Sequence, residues 1–260
     1  MNWQLIGLAT GASAAAGLAT AAGALPVFVV RTISEKLQNG VLGFAAGVML
    51  AASFFSLILP GLEVARERTG SLPISGAIVA AAILLGAGTL HVINRAAPHE
   101  HFITGPTDRA ARSRLSRIWL FVIAISLHNF PEGLAVGVSF GGPEVGNGWA
   151  TAFGIGLQNV PEGLAVAVAL VSVGYGRLFA FLVALATGLI EPVGGFLGIS
   201  AVSFSSSLLP WGLGFAGGAM IWVVSSEIIP ETHREGNQGV ATEALMVGLA
   251  VMMFLDWTFG

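Results

Sequence analysis

Two stretches of this chain are almost the same and hold most of its chemistry. They are His128-Asn129-Phe130-Pro131-Glu132-Gly133-Leu134-Ala135-Val136 and Gln158-Asn159-Val160-Pro161-Glu162-Gly163-Leu164-Ala165-Val166. Each sets a carboxylate, an amide and either an imidazole or a second amide about ten residues inside an apolar segment long enough to cross a bilayer. Charge at that depth is expensive and marks a functional site by default. On a helix, positions i, i+3 and i+4 share a face, so His128 and Glu132 project together with Asn129 beside them. Gln158, Asn159 and Glu162 repeat the pattern on the next helix, and both faces can converge on one cation. Pro131 and Pro161 have no N–H to give to the carbonyls of Leu127 and Leu157, which frees two oxygens to line a cavity. Gly133 and Gly163 let a neighbouring helix come close.

A third carboxylate belongs to the set. Glu191, followed by Pro192, lies about thirteen residues into the next apolar segment, and at about 1.5 Å per residue Glu132, Glu162 and Glu191 all reach the midplane. No Lys or Arg occurs between Ile118 and Gly176 or between Leu178 and His233, so the balancing charge is protons or a bound cation. A lone buried His or Glu is usually a hydrogen-bonded core residue, but two duplicated ligand turns plus a third carboxylate at equal depth are hard to explain as packing. The spacing admits two ions, one held by His128, Glu132, Gln158 and Glu162 and a second by Asn129, Asn159 and Glu191 with Glu132 and Glu162 bridging. Three carboxylates balance only part of the charge of two divalent ions, which favours one tight ion and a weaker second.

The elements that position these residues follow from composition. The 260 residues are 55% hydrophobic and only 10% charged, with a mean hydropathy of +0.83, the profile of a polytopic membrane protein with almost no soluble domain. The net charge of −3 offers no basic face for nucleic acid. Cysteine is absent, so a metal must be held by His, carboxylate, amide or carbonyl groups. Polar interruptions mark off eight spans, roughly 4–30, 41–61, 73–94, 117–140, 149–173, 178–200, 209–229 and 240–258. The expected fold is therefore all-α, one membrane domain over 1–260. With no basic region ahead of it, the first segment is expected to stay as a span and not be cleaved. Pairs such as Gly43/Gly47, Gly133/Gly137 and Gly214/Gly218 fit close helix packing in lipid.

Basic residues orient the bundle. Arg31, Lys36, Arg95, Arg109, Arg112, Arg114, Arg117, Arg177 and Arg234 fall on one side, against Arg66 and Arg68 on the other. The positive-inside rule makes the first side cytosolic and puts both termini outside the cytosol. The long connection 95–116 is then cytosolic; it carries His99, Glu100 and His101 and reads as a solvated, disordered loop, with a weak regulatory metal contact as the lesser alternative.

At the duplicated turns the sequence resembles the ZIP (Zrt/Irt-like protein) family of divalent-metal transporters, in particular its bacterial GufA-like branch. The resemblance covers essentially the whole chain, and the His-Asn-x-Pro-Glu-Gly signature of the fourth span is specific. It implies a ZIP-like bundle in the cell membrane (the inner membrane of a Gram-negative cell), with His128, Asn129, Glu132, Gln158, Asn159, Glu162 and Glu191 as transport-site ligands. It also implies Zn²⁺, or Fe²⁺, Mn²⁺ or Cd²⁺, as cargo moved to the cytosol, no permanent cofactor, a frequent homodimer, and one helix bundle moving against another. Many family members have His where this chain has Gln158, and some have Asp where it has Asn159, which softens the first site by one imidazole and removes a charge from the second.

Further groups sit nearer the surface. Glu227, Glu231 and His233, joined by His91, can receive an ion at the cytosolic face or be an ordinary solvated helix end. Glu63, Glu67 and Asp256, on the outer side, read as surface charges that attract cations weakly. Two other functions compete with a carrier. An intramembrane metalloenzyme would be expected to show a motif such as His-Glu-x-x-His, which does not occur, and a proton or monovalent-cation pathway leaves His128 and the duplicated amides without a role. The expected carrier mechanism has metal displace protons from the ligands, so that binding weakens as pH falls, followed by a rearrangement of the fourth and fifth spans hinged near their prolines.

Overall fold

The computed structural model describes residues 2–30, 33–96, 109–233 and 238–259. It is 91% helical, with no strand among the described residues, and eight of its helices are long and apolar enough to cross a membrane. We number them α1 (Trp3–Phe28), α2 (Glu35–Thr69), α3 (Leu72–Ala96), α4 (Arg109–Ser139), α5 (Val145–Ser172), α6 (Arg177–Phe204), α7 (Ser206–Thr232) and α8 (Gln238–Phe259). Local chemistry sets several ends. Asn2 and Ser34 each accept from a backbone N–H three residues on, at 3.2 Å, and so cap α1 and α2. Gly70, at φ +64, stops α2.

Three spans depart from regular helix. α6 breaks between Gly188 and Glu191, giving the halves Arg177–Gly188 and Glu191–Phe204; Pro192 cannot continue the ladder, so the second half starts at Glu191 itself. π-helical segments interrupt α2 at Ala52–Ile58 and α7 at Val224–Ile228, each just before a proline, Pro60 or Pro230. The expected 95–116 loop is shorter than its sequence suggested, because α3 runs through Ala96 and α4 resumes at Arg109. His99, Glu100 and His101 lie outside the described residues.

The helices pair closely as α1 with α5, α4 with α6, α2 with α8 and α3 with α7. Glycine makes the first two pairings possible. A Cβ on Gly163 would lie 1.8 Å from the Thr20 carbonyl oxygen of α1, and one on Gly133 would lie 1.9 Å from the Glu191 carbonyl oxygen of α6. Those contacts are backbone against side-chain-free backbone, the closest approach two helices have. At the basic end of the bundle, Arg177 donates to the Phe28 carbonyl and Trp119 Nε1 donates to Tyr175 Oη at 2.9 Å. These bonds tie the ends of α1, α4, α5 and α6 together.

Candidate metal centre

The duplicated turns of α4 and α5 face each other, with Glu191 at the break of α6 beside them. His128 is 2% exposed, and Asn129, Glu132, Gln158, Asn159, Glu162 and Glu191 are fully buried. Direct contacts show a common depth. Gln158 donates from Nε2 to Glu132 Oε1, and His128 Nε2 stands 3.8 Å from Glu162 Oε2. Asn159 donates from Nδ2 to Glu191 Oε1 at 2.6 Å and to the Ala16 carbonyl at 2.8 Å. Six of the seven expected residues are thus in contact in pairs, and Asn129 is buried next to His128 in the chain.

The donor chemistry of the group suits a cation. Both ring nitrogens of His128, both carboxylate oxygens of Glu162, both polar atoms of Asn129, and one oxygen each of Glu132, Gln158, Asn159 and Glu191 have no hydrogen-bond partner among the described residues. Buried polar atoms are ordinarily satisfied, and every one of these except the Asn129 amide nitrogen and whichever His128 ring nitrogen carries the proton can present a lone pair to an ion. Among the described residues, no three His, Asp or Glu side chains are already gathered at metal-binding separation by themselves. An ion held here would have to draw on amide oxygens such as those of Gln158 and Asn129 as well as on carboxylate and imidazole, a mixed nitrogen and oxygen set without thiolate.

Comparison with known proteins supplies the family. The family model described as ZIP Zinc transporter matches residues 99–256. The chain is 46% identical over 249 residues to the "Zinc transporter GufA" of Myxococcus xanthus, covering 96% of this chain and 98% of that one. It is 48% identical over 255 residues to "Zinc transporter ZIPB" of Bordetella bronchiseptica, covering 98% of this chain and 82% of the relative. It is also 34% identical over 322 residues to the human "Zinc transporter ZIP11", covering 93% and 94%. The chain belongs to the ZIP zinc transporter family. Within that family it falls in the GufA-like branch, as a multi-pass cell-membrane protein and a transporter rather than an enzyme.

Several parts of this ZIP protein's site were not visible from the duplicated turns. α1 supplies the Ala16 carbonyl that holds Asn159, and Ser13 Oγ, which donates to the Glu191 carbonyl at 2.9 Å. The only signal for α1 was its run of small residues, among which Gly17 packs directly on the Gly188 carbonyl at the α6 break. The members of the expected exit group have different neighbours. Glu227, in the π-helical segment of α7, reaches His128, with Oε2 3.8 Å from Nδ1. His91 instead packs edge-on against Trp222, with ring centroids 6.2 Å apart. His233 places Nδ1 2.8 Å from the Ile229 carbonyl of its own helix, and Glu231 is exposed.

On the opposite end, Glu63 and Glu67 are exposed as expected. Asp256 is not a plain surface charge, because it is half-buried and accepts a 2.5 Å hydrogen bond from the buried Ser56 hydroxyl in the π-helical segment of α2. The proline turns expected to hinge are also among the most tightly packed parts of the bundle. A Cβ on Gly23 of α1 would lie 1.9 Å from the Val160 carbonyl, one residue before Pro161.

Proposed function

We propose that this protein carries zinc across the cell membrane into the cytosol, through a cage built on His128, Glu132, Gln158 and Glu162 with Asn129, Asn159 and Glu191 around it. One observation carries the reading: buried polar side chains of α4, α5 and α6 contact one another in the pairs Gln158–Glu132, His128–Glu162 and Asn159–Glu191, with Asn129 next to His128 in the chain, and each of the seven has at least one unpartnered polar atom, while no Lys or Arg occurs between Ile118 and Gly176 or between Leu178 and His233. A buried anionic cluster of this kind is stable only with a cation or protons to neutralise it.

The donor set favours release. Amide oxygens are weak neutral ligands, and a cage that leans on them exchanges its ion more readily than a thiolate site. With nine of the eleven basic residues on the side of Arg95 and Arg177, that side is the cytosol and both termini lie outside. An ion entering from outside then passes the Ser56–Asp256 pair before the cage and leaves past Glu227, the carboxylate next to His128. Nitrogen and oxygen donors of this kind also admit Fe²⁺, Mn²⁺ and Cd²⁺.

The test is flux into liposomes. Purified protein should admit Zn²⁺ in a protein-dependent way, and Glu132→Ala and Glu162→Ala should stop it while each variant still elutes as a folded species. Competition by Fe²⁺, Mn²⁺ and Cd²⁺ in the same vesicles ranks the cargo. Undiminished flux in both variants overturns the assignment.

A further inference from the structure

The donors of the cage do not by themselves separate zinc from manganese, since carboxylate and amide oxygens serve both ions. The wall that α2, α7 and α8 turn towards α4 and α5 is chemically different. Three of the chain's six methionines, Met49 of α2, Met220 of α7 and Met252 of α8, are buried there in one apolar cluster with Val136 of α4 and Ile155 of α5. Met252 has a defined place on the way in. It lies one turn inward of Asp256 on α8, is fully buried, and lays its sulfur on the bare backbone of Gly154, where a Cβ would collide with Sδ. Gly154 is one turn outward of Gln158 on α5. We propose that Met252 is a specificity-determining residue of the transport route, a thioether step between Asp256 and Gln158 that favours the softer ions Zn²⁺ and Cd²⁺ over Mn²⁺. The inference rests on the carrier reading above and deepens it by naming the class of ion that passes.

Three features of this seat matter. Between Asp256 and the cage, neither helix offers a side-chain nitrogen or oxygen: α8 is apolar from Ala244 to Leu255 and α5 from Ala152 to Leu157. Met246 and Met253 of α8 are exposed, so the Met252 sulfur is the one buried side-chain lone pair on those two stretches. Sulfur is also a soft, polarisable donor. It serves zinc and softer ions and suits manganese poorly, the reverse of a passage lined by water or carboxylate. Finally, methionine is unbranched and flexible, and Gly154 leaves it room to swing over α5 without pushing a neighbouring side chain. A leucine fills much the same space, so the sulfur is what this residue adds.

The experiment is uptake by liposomes holding the full-length protein, with Zn²⁺, Cd²⁺ and Mn²⁺ supplied singly, for the natural chain and for Met252→Leu. Cd²⁺, the softest of the three, should slow by about 3–10-fold, the effect of one weak ligand lost on the way over the barrier, with Zn²⁺ slowed less and Mn²⁺ least. Zinc bound at equilibrium should be the same in both chains, because the cage is untouched.

Equal slowing of every ion in folded Met252→Leu marks a plain spacer and overturns the inference, as does Cd²⁺ uptake that does not slow. Weaker equilibrium binding in that variant overturns it as well, by placing Met252 in the cage and not on the route. Should Met252→Leu fail to fold, selenomethionine in place of all six methionines tests the same point from the other side. The softer selenium should raise the ratio of Cd²⁺ to Zn²⁺ uptake, and an unchanged or lower ratio overturns the inference. Zinc uptake by the natural chain separates the two readings. With that uptake present, these failures remove only the role of Met252, whereas a natural chain that carries no zinc overturns the carrier reading and the thioether step with it.

Discussion

The turns at 128–136 and 158–166 share Asn-x-Pro-Glu-Gly-Leu-Ala-Val, yet the structure puts their matching residues to different uses. Gly133 and Gly163 do the same work, each clearing space for a neighbouring carbonyl, of Glu191 in one case and Thr20 in the other. The asparagines diverge. Asn159 has both its hydrogens bound, to α1 and to Glu191, while both polar atoms of Asn129 are unpartnered among the described residues. The leading residues diverge as well: His128 looks to Glu162 and Glu227, whereas Gln158 anchors Glu132. A repeated motif fixes the backbone and the direction of its side chains. Which of them holds the protein together and which is left to hold cargo depends on the helix packed opposite.

The comparison can be broken most forcefully at the carboxylates. Glu132→Ala and Glu162→Ala should each lower zinc flux by more than about 100-fold, since loss of even an outer supporting group commonly costs about 10–100-fold in metal affinity; a large gap between the two variants would end their equivalence. Next come the glycines. Gly133→Ala and Gly163→Ala both force a carbonyl contact apart and should each destabilise by about 1–3 kcal/mol or more, read as a matched fall in Tm in detergent, and an unchanged Tm in either would mean that its helix pair gives way. A smaller effect is expected from His128→Gln, which makes the two turns alike. It should weaken zinc binding while leaving Tm in place, because an imidazole nitrogen is exchanged for a weaker amide oxygen; the measurement is zinc titration of both chains beside their thermal melts. The asparagines give the finest contrast. Asn159→Ala leaves the Ala16 carbonyl and Glu191 without their donor and should cost about 1–3 kcal/mol, whereas Asn129→Ala should leave Tm unchanged.

Much of this arrangement was legible in the chain. Apolar length and basic-residue placement marked all eight spans, and the duplicated turns with Glu191 named a set that the structure gathers. What escaped was whatever depends on a partner helix. α1 has no ionisable side chain in its span, so nothing announced that its Ala16 carbonyl and Ser13 hydroxyl brace the cage; backbone groups leave no trace in composition. Asp256 looked like a surface charge because its partner, Ser56, is two hundred residues away in sequence. The π-helical segments of α2 and α7 were hidden for another reason, since one extra residue in a turn alters hydrogen bonding without altering hydropathy.

The glycine contacts have a mechanical consequence. Where two helices touch through carbonyls, no layer of flexible side chains lies between them to absorb sliding, and Gly17, Gly23, Gly133 and Gly163 place such dry seams around the cage itself. A cage assembled this way resists being prised open from within.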